Sequence, residues 1–127
     1  MLKLVDIHTF YEESHILHGI SLEVEEGSVV ALLGRNGMGK TTTMRSIIGF
    51  TPPRHGEVWF KGEDVSHLPP HKICQMGLGL VPQGRRIFPS LTVKENLTIG
   101  ARPSKRGNGW TLEKAYSLFP ILKERAN

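Results

Sequence analysis

The chain has 127 residues, of which 39% are hydrophobic, 7% aromatic and 22% charged, as in an ordinary globular domain. This composition excludes a collagen-like or largely disordered chain, and the single cysteine, Cys74, excludes an intrachain disulfide. Residues 1–63 carry six basic and eight acidic side chains, whereas residues 64–127 carry ten basic and four acidic ones. The uneven charge favours either an anionic partner or acidic residues that belong to a further segment.

Two strands are predicted at the start of the chain. The first follows an alternation that shifts phase once, carried by the apolar residues Leu2, Leu4, Val5 and Ile7. The second spans residues 20–24, where apolar and polar residues alternate cleanly. We therefore expect one face of the second strand to lie in solvent.

A strand, a glycine-rich loop and a helix are predicted next. Val29–Leu33 is apolar at every position, which is typical of a central strand covered on both faces in a mainly parallel sheet. It is also the longest clearly apolar run and is far shorter than the ~20 residues of a membrane helix. Residues 40–48 favour a helix that ends near Gly49, because Pro52 and Pro53 prevent its continuation.

Shorter elements are predicted in the second half of the chain. The patterns indicate strands at residues 57–61 and 78–81, a short helix from Pro70 to Met76, and a helix over residues 112–119 that Pro120 interrupts or kinks. Thr92 precedes Glu95 by three residues, the spacing of a capping box, so a helix is expected to begin there. Residues 102–108 are predicted to form a polar loop.

The glycine-rich loop carries the clearest chemistry. Residues 34–41 match the phosphate-binding pattern of Gly, four residues, Gly, Lys and then Ser or Thr. Gly34, Gly37 and Gly39 allow the backbone to turn its N–H groups inward around a polyphosphate. The helix that follows presents its positive end, Lys40 can reach the outer phosphates, and Thr41 can place its hydroxyl on Mg²⁺. The sequence therefore predicts a nucleotide site.

Beyond this motif, the whole chain resembles the ATP-binding subunits of ATP-binding-cassette (ABC) transporters. Residues 34–42 resemble that family's Walker A motif, and Gln83 matches its Q-loop glutamine. The resemblance implies an α/β fold of the ABC-type P-loop NTPase class, incomplete, with an antiparallel β segment and the start of the helical subdomain. Residues 1–90 are expected to form part of the nucleotide-binding core. Residues 91–127 are expected to begin the helical subdomain and to end before the signature motif.

The resemblance also implies residue roles, with ATP and Mg²⁺ as cofactors. Tyr11 stands where the family places an aromatic ring against adenine, with Ile16 as a flanking contact, and Phe10 is an alternative stacking ring. Gln83 is expected to help coordinate Mg²⁺ or the attacking water and to link the site to a membrane subunit. The implied nucleotide-binding residues are Tyr11, Gly34, Asn36, Gly37, Gly39, Lys40, Thr41 and Thr42; Lys40 and Gln83 are the implied catalytic residues, and Thr41 and Gln83 the implied Mg²⁺ ligands.

A narrower resemblance concerns the transported solute. Residues 34–43, 81–89 and 91–97 are similar to the ATP-binding subunits of branched-chain amino-acid importers, and urea importers share much of this pattern. The implied function is an ATPase that powers solute import, together with a second ATPase subunit and transmembrane permease subunits. Such a protein is expected at the cytoplasmic face of the inner (plasma) membrane, as a peripheral subunit, with no nucleic acid as a partner.

The sequence also departs from the family's pattern. It contains no signature loop, no Walker B aspartate followed by a catalytic glutamate, and no switch histidine. Phosphoryl transfer depends on positioning and on charge stabilisation, to which such groups contribute. The resemblance therefore implies an ATP hydrolase, whereas these 127 residues alone are expected to be nearly inactive. A non-catalytic nucleotide-binding fragment is the alternative.

Three other classes are less well supported by the sequence. A different phosphate-loop enzyme, such as a GTPase or a small-molecule kinase, is expected to show a guanine-reading Asn-Lys-x-Asp segment or a lid of arginines, and no Asn-Lys-x-Asp segment occurs. The isoelectric point near 9.5 prompts a nucleic-acid binder, but no recognised motif accompanies it. His67, His71 and Cys74 are close in sequence, yet Pro69 and Pro70 prevent a shared helical face, so no metal site is expected there.

Overall fold

The computed structural model describes residues 1–84, 86–101 and 109–127, which form two compact units, Met1–Val81 and Pro82–Asn127. The first unit contains β1 (Leu2–Tyr11), β2 (Ser14–Val24), α1 (Lys40–Ile47), β3 (His55–Phe60), β4 (Glu63–Asp64) and α2 (Pro70–Gln75). The second contains α3 (Val93–Thr98), α4 (Leu112–Leu118) and α5 (Pro120–Glu124). The loop predicted at residues 102–108 lies outside the described residues.

The sheet of the first unit is antiparallel, with the strand order β2-β1-β3-β4. The antiparallel β segment expected from the sequence is therefore present. β3 corresponds to the strand predicted at residues 57–61, and β2 keeps the predicted alternation of half-buried and exposed side chains over residues 20–24. The long hairpin of β1 and β2 forms one side of the unit and carries Tyr11 near its turn.

The phase shift predicted in β1 is an irregularity in strand pairing between Leu4 and Ile7. Asp6 adopts a left-handed conformation with a φ of 47°, which turns the strand so that Leu4 and Ile7 are both buried. Val5, which the sequence pattern grouped with Ile7, is exposed instead. The periodicity located the shift, whereas the direction of each side chain depended on the bulge.

The core of the first unit lies between the sheet and the helices. Its buried apolar residues are Leu4, Ile7, Leu17, Ile47, Ile48, Val58, Phe60, Val65 and Ile73. Ile47 brings the end of α1 into this core, and Gly49 follows in a left-handed conformation that stops the helix, as predicted. Burial of each of these side chains contributes about 1.5–3 kcal/mol to the stability of the first unit. Through Ile47, this burial fixes the position of the helix that follows the glycine-rich loop.

The two strands predicted at Val29–Leu33 and at residues 78–81 do not form, and this part of the prediction was wrong. Val29 is 97% exposed and Leu33 is 88% exposed, and neither segment pairs with another strand among the described residues. A central strand is stable only when strands on both sides accept and donate its backbone hydrogen bonds. The apolar pattern indicates the environment in which a segment would be stable. To form a strand in a sheet, the segment also needs neighbouring strands with which it can pair.

The second unit confirms two predictions about helix ends. The Thr92 hydroxyl accepts a hydrogen bond from the Glu95 N–H at 3.2 Å, and the Glu95 carboxylate accepts one from the Thr92 N–H at 2.8 Å. The hydrogen bonds from the Thr92 backbone and side chain lower the pKa of the Glu95 carboxyl. Pro120 begins the separate helix α5 after α4 ends at Leu118. Among the described residues, no helix has the length and apolarity that a membrane crossing requires.

Candidate functional site

The predicted phosphate-binding loop leads directly into α1. The helix begins at Lys40, as the motif predicts, and its N-cap is Gly39, whose φ is 87°. Glycine has no side chain with which to cap the first-turn N–H groups, and no side-chain cap is present. These donors therefore lie at the positive end of the helix, which is the arrangement that binds phosphate in many proteins.

The Lys40 side chain lies against the loop. Its Nζ atom donates hydrogen bonds to the carbonyl oxygens of Gly34 at 2.5 Å and of Arg35 at 2.7 Å. Both acceptors belong to the loop itself, so the ammonium group is held among the loop residues. Phosphate oxygens are charged and form stronger hydrogen bonds than backbone carbonyls. The donors of Lys40 are therefore of a kind that a phosphate group could also accept.

Strand β2 supports the loop from one side. A Cβ atom added to Gly39 would lie 2.7 Å from Leu17 Cδ2 and within 4 Å of Ile16. Thr9 pairs with Leu17 and Phe10 with His15, which leaves Ile16 as an extra residue in β2. This bulge places the Leu17 side chain beside Gly39, so a Cβ at this position would overlap with Leu17 unless that side chain moved.

The three threonines after Lys40 have different surroundings. Thr41 is exposed, so its hydroxyl is available to a cation, whereas Thr42 is buried in the first turn of α1. Thr43, which the motif does not include, is also buried, and its hydroxyl donates to the Gly39 carbonyl at 3.0 Å. Thr43 therefore fixes the last residue of the loop to the helix. Its position four residues after Gly39 is the only signal for this role in the sequence.

The structure distinguishes between Phe10 and Tyr11, the two aromatic rings that the sequence offered for stacking on adenine. Phe10 is stacked on His15, with ring centroids 4.2 Å apart and an interplanar angle of 6°, and the Arg54 guanidinium lies 4.6 Å from the Phe10 centroid. Tyr11 is 41% exposed at the end of β1. Because side chains alternate along a strand, Tyr11 shares its face with Thr9, which contacts α1, and Phe10 lies on the opposite face.

The remaining predicted residues have simpler positions. Gly34, Asn36 and Gly37 lie in the loop and are exposed, and Gly37 has a φ of 81°. Gln83 is the second residue of the second unit, and its side chain is exposed. Within the first unit, the fold brings the loop, the start of α1 and the β1–β2 hairpin together.

Comparison with known families gives one clear match. The family model described as "ABC transporter" matches residues 17–126. A high-affinity branched-chain amino acid transport ATP-binding protein of Pseudomonas aeruginosa, BraG, is 36% identical over 98% of this chain and 54% of its own length. A probable branched-chain amino acid transport ATP-binding protein of Archaeoglobus fulgidus, LivF, is 38% identical over 97% of this chain and 52% of its own length.

Other relatives carry different solute names, including ATP-binding proteins for 2-aminoethylphosphonate import and for spermidine and putrescine import. Among solved structures, an ATP binding subunit of an ABC transporter is 26% identical, with a TM-score of 0.76 over 99% of this chain and 52% of that one. The chain thus spans about half the length of the branched-chain amino-acid relatives that it matches. The incomplete P-loop NTPase fold agrees with that span.

Proposed function

Because this chain belongs to the ABC transporter family, we propose that residues 34–42 bind the triphosphate of ATP. The observation that carries the proposal is the arrangement around Lys40. Its ammonium group donates to two carbonyls of the loop, and the N-terminus of α1 has no side-chain cap. A compact cationic group beside several backbone donors is the chemistry that a polyphosphate requires.

The other site residues fit defined parts of the nucleotide. The backbone of Gly34, Asn36, Gly37 and Gly39 would surround the phosphates, with Lys40 as a side-chain contact. The family resemblance also implies a contact from Thr42, whose side chain is buried here and would have to become accessible to touch phosphate. The exposed ring of Tyr11 is suited to stack on adenine, because an aromatic face offers both apolar area and favourable ring stacking. Phe10 is less suited, since His15 and Arg54 already contact its ring.

Mg²⁺ also fits the residues of the loop. The ion prefers oxygen ligands and usually keeps bonds to substrate phosphates. The exposed hydroxyl of Thr41, at the start of α1, is an oxygen ligand next to the proposed phosphate position. We propose Thr41 as a ligand of the ion. The family resemblance of residues 80–83 supports a separate proposal for Gln83, whose amide would help coordinate Mg²⁺ or the attacking water. When bound, Mg²⁺ would neutralise part of the phosphate charge.

Titration with a fluorescent ATP analogue tests the proposed site directly. The 127-residue chain is expected to give a saturable signal in the presence of Mg²⁺. Unlabelled ATP should compete with the analogue, and EDTA should weaken its binding because the metal contributes to phosphate binding. A signal that does not saturate, or that unlabelled ATP does not displace, would contradict the proposal.

We further propose that the 127 residues alone bind ATP but hydrolyse very little of it. The sequence holds the loop and Gln83, whereas the Walker B carboxylates and the signature loop do not occur in it. Without these groups the water is not activated and part of the transition-state charge is not stabilised. Phosphate release should therefore equal that of the Lys40→Ala variant. Release that is well above background and disappears with Lys40→Ala would contradict this expectation.

For the complete protein, we propose an ATPase that powers import of branched-chain amino acids. The names of the BraG and LivF relatives support this solute, as do residues 34–43, 81–89 and 91–97. The partners would be a second ATPase subunit and transmembrane permease subunits, at the cytoplasmic face of the membrane. Cells that lack the gene should take up less labelled leucine and unchanged amounts of labelled urea. The reverse result would favour a urea importer.

A further inference from the structure

Two buried hydroxyl groups join β1 to α1. Thr9 Oγ1 and Ser46 Oγ lie 2.8 Å apart, and the two residues are 0% and 2% exposed. In the part of the chain that the structure describes, no other hydrogen bond between two side chains is fully buried. Burial of a hydroxyl is costly without a partner, so each group depends on the other.

The pair connects the two halves of the proposed ATP site. Thr9 lies two residues before Tyr11 on the same face of β1, and Ser46 lies on the helix whose first residue is Lys40. β1 carries the ring proposed for adenine, and α1 carries the groups proposed for the phosphates. The Thr9–Ser46 hydrogen bond is thus a direct polar connection between β1, which carries the proposed adenine-stacking ring of Tyr11 (the adenine platform), and α1, which carries the proposed phosphate site.

A directional contact suits this position. Apolar contacts are non-directional, so packing alone sets no requirement on the angle or distance between particular atoms of a strand and a helix. A hydrogen bond between buried hydroxyls loses much of its energy when the donor and acceptor separate or turn. The distance between the adenine and the phosphates of one nucleotide is limited by its covalent structure. A small shift of β1 along α1 would therefore weaken stacking while phosphate binding persists.

We propose that Thr9 and Ser46 are positioning residues for adenine recognition: their hydrogen bond holds Tyr11 at the distance from Lys40 that one ATP molecule spans. This inference rests on the proposed function, because it assumes that both halves of the site hold the same nucleotide. The inference goes further than the proposed function, because it makes the preference for ATP over a polyphosphate without a base depend on a hydrogen bond that contacts no part of the ligand.

The readout is the preference for ATP over inorganic tripolyphosphate. Tripolyphosphate uses only the phosphate site, whereas ATP also uses the Tyr11 platform. A variant that merely lowers the folded fraction weakens both ligands by the same factor. A variant that displaces the platform weakens ATP alone, so the ratio of the two dissociation constants separates positioning from a purely structural role.

Thr9→Val removes the hydroxyl and keeps the shape of the side chain. We expect it to weaken ATP binding about two- to tenfold, the usual range for an aromatic stacking contact, and to leave tripolyphosphate binding unchanged. Thr9→Ser keeps the hydroxyl and should retain the wild-type ratio. Tyr11→Ala removes the proposed adenine-stacking ring and shows what the ratio of the two dissociation constants is without it. Phe10→Ala, on the opposite face of β1, is the matched control.

A second variant addresses stability. Thr9→Val leaves the Ser46 hydroxyl buried without its partner, which can destabilise the fold. The double variant Thr9→Val/Ser46→Ala removes both hydroxyls and leaves neither group unpaired. It should recover thermal stability but should still show the reduced preference for ATP. Recovery of stability and of the wild-type ratio together would show that the pair has only a structural role.

The remaining outcomes also decide between the proposals. Equal weakening of ATP and tripolyphosphate by Thr9→Val overturns the positioning role and leaves the ATP site intact. If Tyr11→Ala does not change the ratio, the adenine platform is wrong and the positioning role is wrong with it, while the phosphate site stands. If the wild-type chain binds neither ligand, the proposed function itself fails.

Discussion

Replacement of Lys40 by alanine is expected to weaken ATP binding by about 10- to 100-fold, since a hydrogen bond to a charged group is worth about 1.5–3 kcal/mol. The ammonium group already lies among the loop residues, where it donates to the Gly34 and Arg35 carbonyls. The variant removes this charge and both donors from the position proposed for the outer phosphates. The fluorescent ATP titration measures the effect, with thermal unfolding as a check on folding.

Lys61→Ala is the matched control for Lys40→Ala. Lys61 is also in the first unit, and its Nζ atom donates to a backbone carbonyl, that of Met76, at 2.9 Å. The two variants therefore lose the same charge and a similar kind of hydrogen bond. ATP affinity should be unchanged in Lys61→Ala. Equal weakening in both variants would attribute binding to net charge, and unchanged binding in Lys40→Ala would exclude the loop as the site.

Gly39→Ala is expected to lower the free energy of unfolding by about 2–5 kcal/mol. A left-handed conformation costs a residue with a Cβ about 1–2 kcal/mol, and the overlap with Leu17 adds about 1–3 kcal/mol. Leu17 is 2% exposed, so its side chain has little space into which it can move. Because the overlap pushes the loop away from β2, ATP binding should weaken as well. Chemical denaturation measures the stability, and the titration measures the binding.

Gly37→Ala separates the cost of the left-handed backbone conformation from the cost of the overlap with Leu17. Gly37 has a φ of 81°, close to the 87° of Gly39, but no atom lies within 4 Å of the Cβ that alanine would add. Its loss of stability should therefore be limited to the conformational part, about 1–2 kcal/mol. The difference between the two variants reports the contact between the loop and Leu17. Equal losses would show that β2 does not support the loop.

The sequence by itself determined the local features of this protein. The glycine spacing and Lys40 predicted the glycine-rich loop and the first residue of α1, and Thr92 with Glu95 predicted the start of α3. Each of these features depends on residues within a few positions of one another, because helix caps and tight loops are stabilised by groups that are neighbours in the chain. The family resemblance rested on the same short segments and is confirmed by the family match.

Only the tertiary structure decided which distant groups meet. The sequence favours Tyr11 for adenine and leaves Phe10 as an alternative. The strand pairing places Phe10 against His15 and leaves Tyr11 on the face of β1 that contacts α1. The contact between Gly39 and Leu17 depends on a bulge that no local pattern shows. Val29–Leu33 has the pattern of a central strand but forms none, because a strand needs hydrogen-bonding partners from elsewhere in the chain. Local sequence fixes what each segment prefers, and long-range pairing decides whether and where that preference is met.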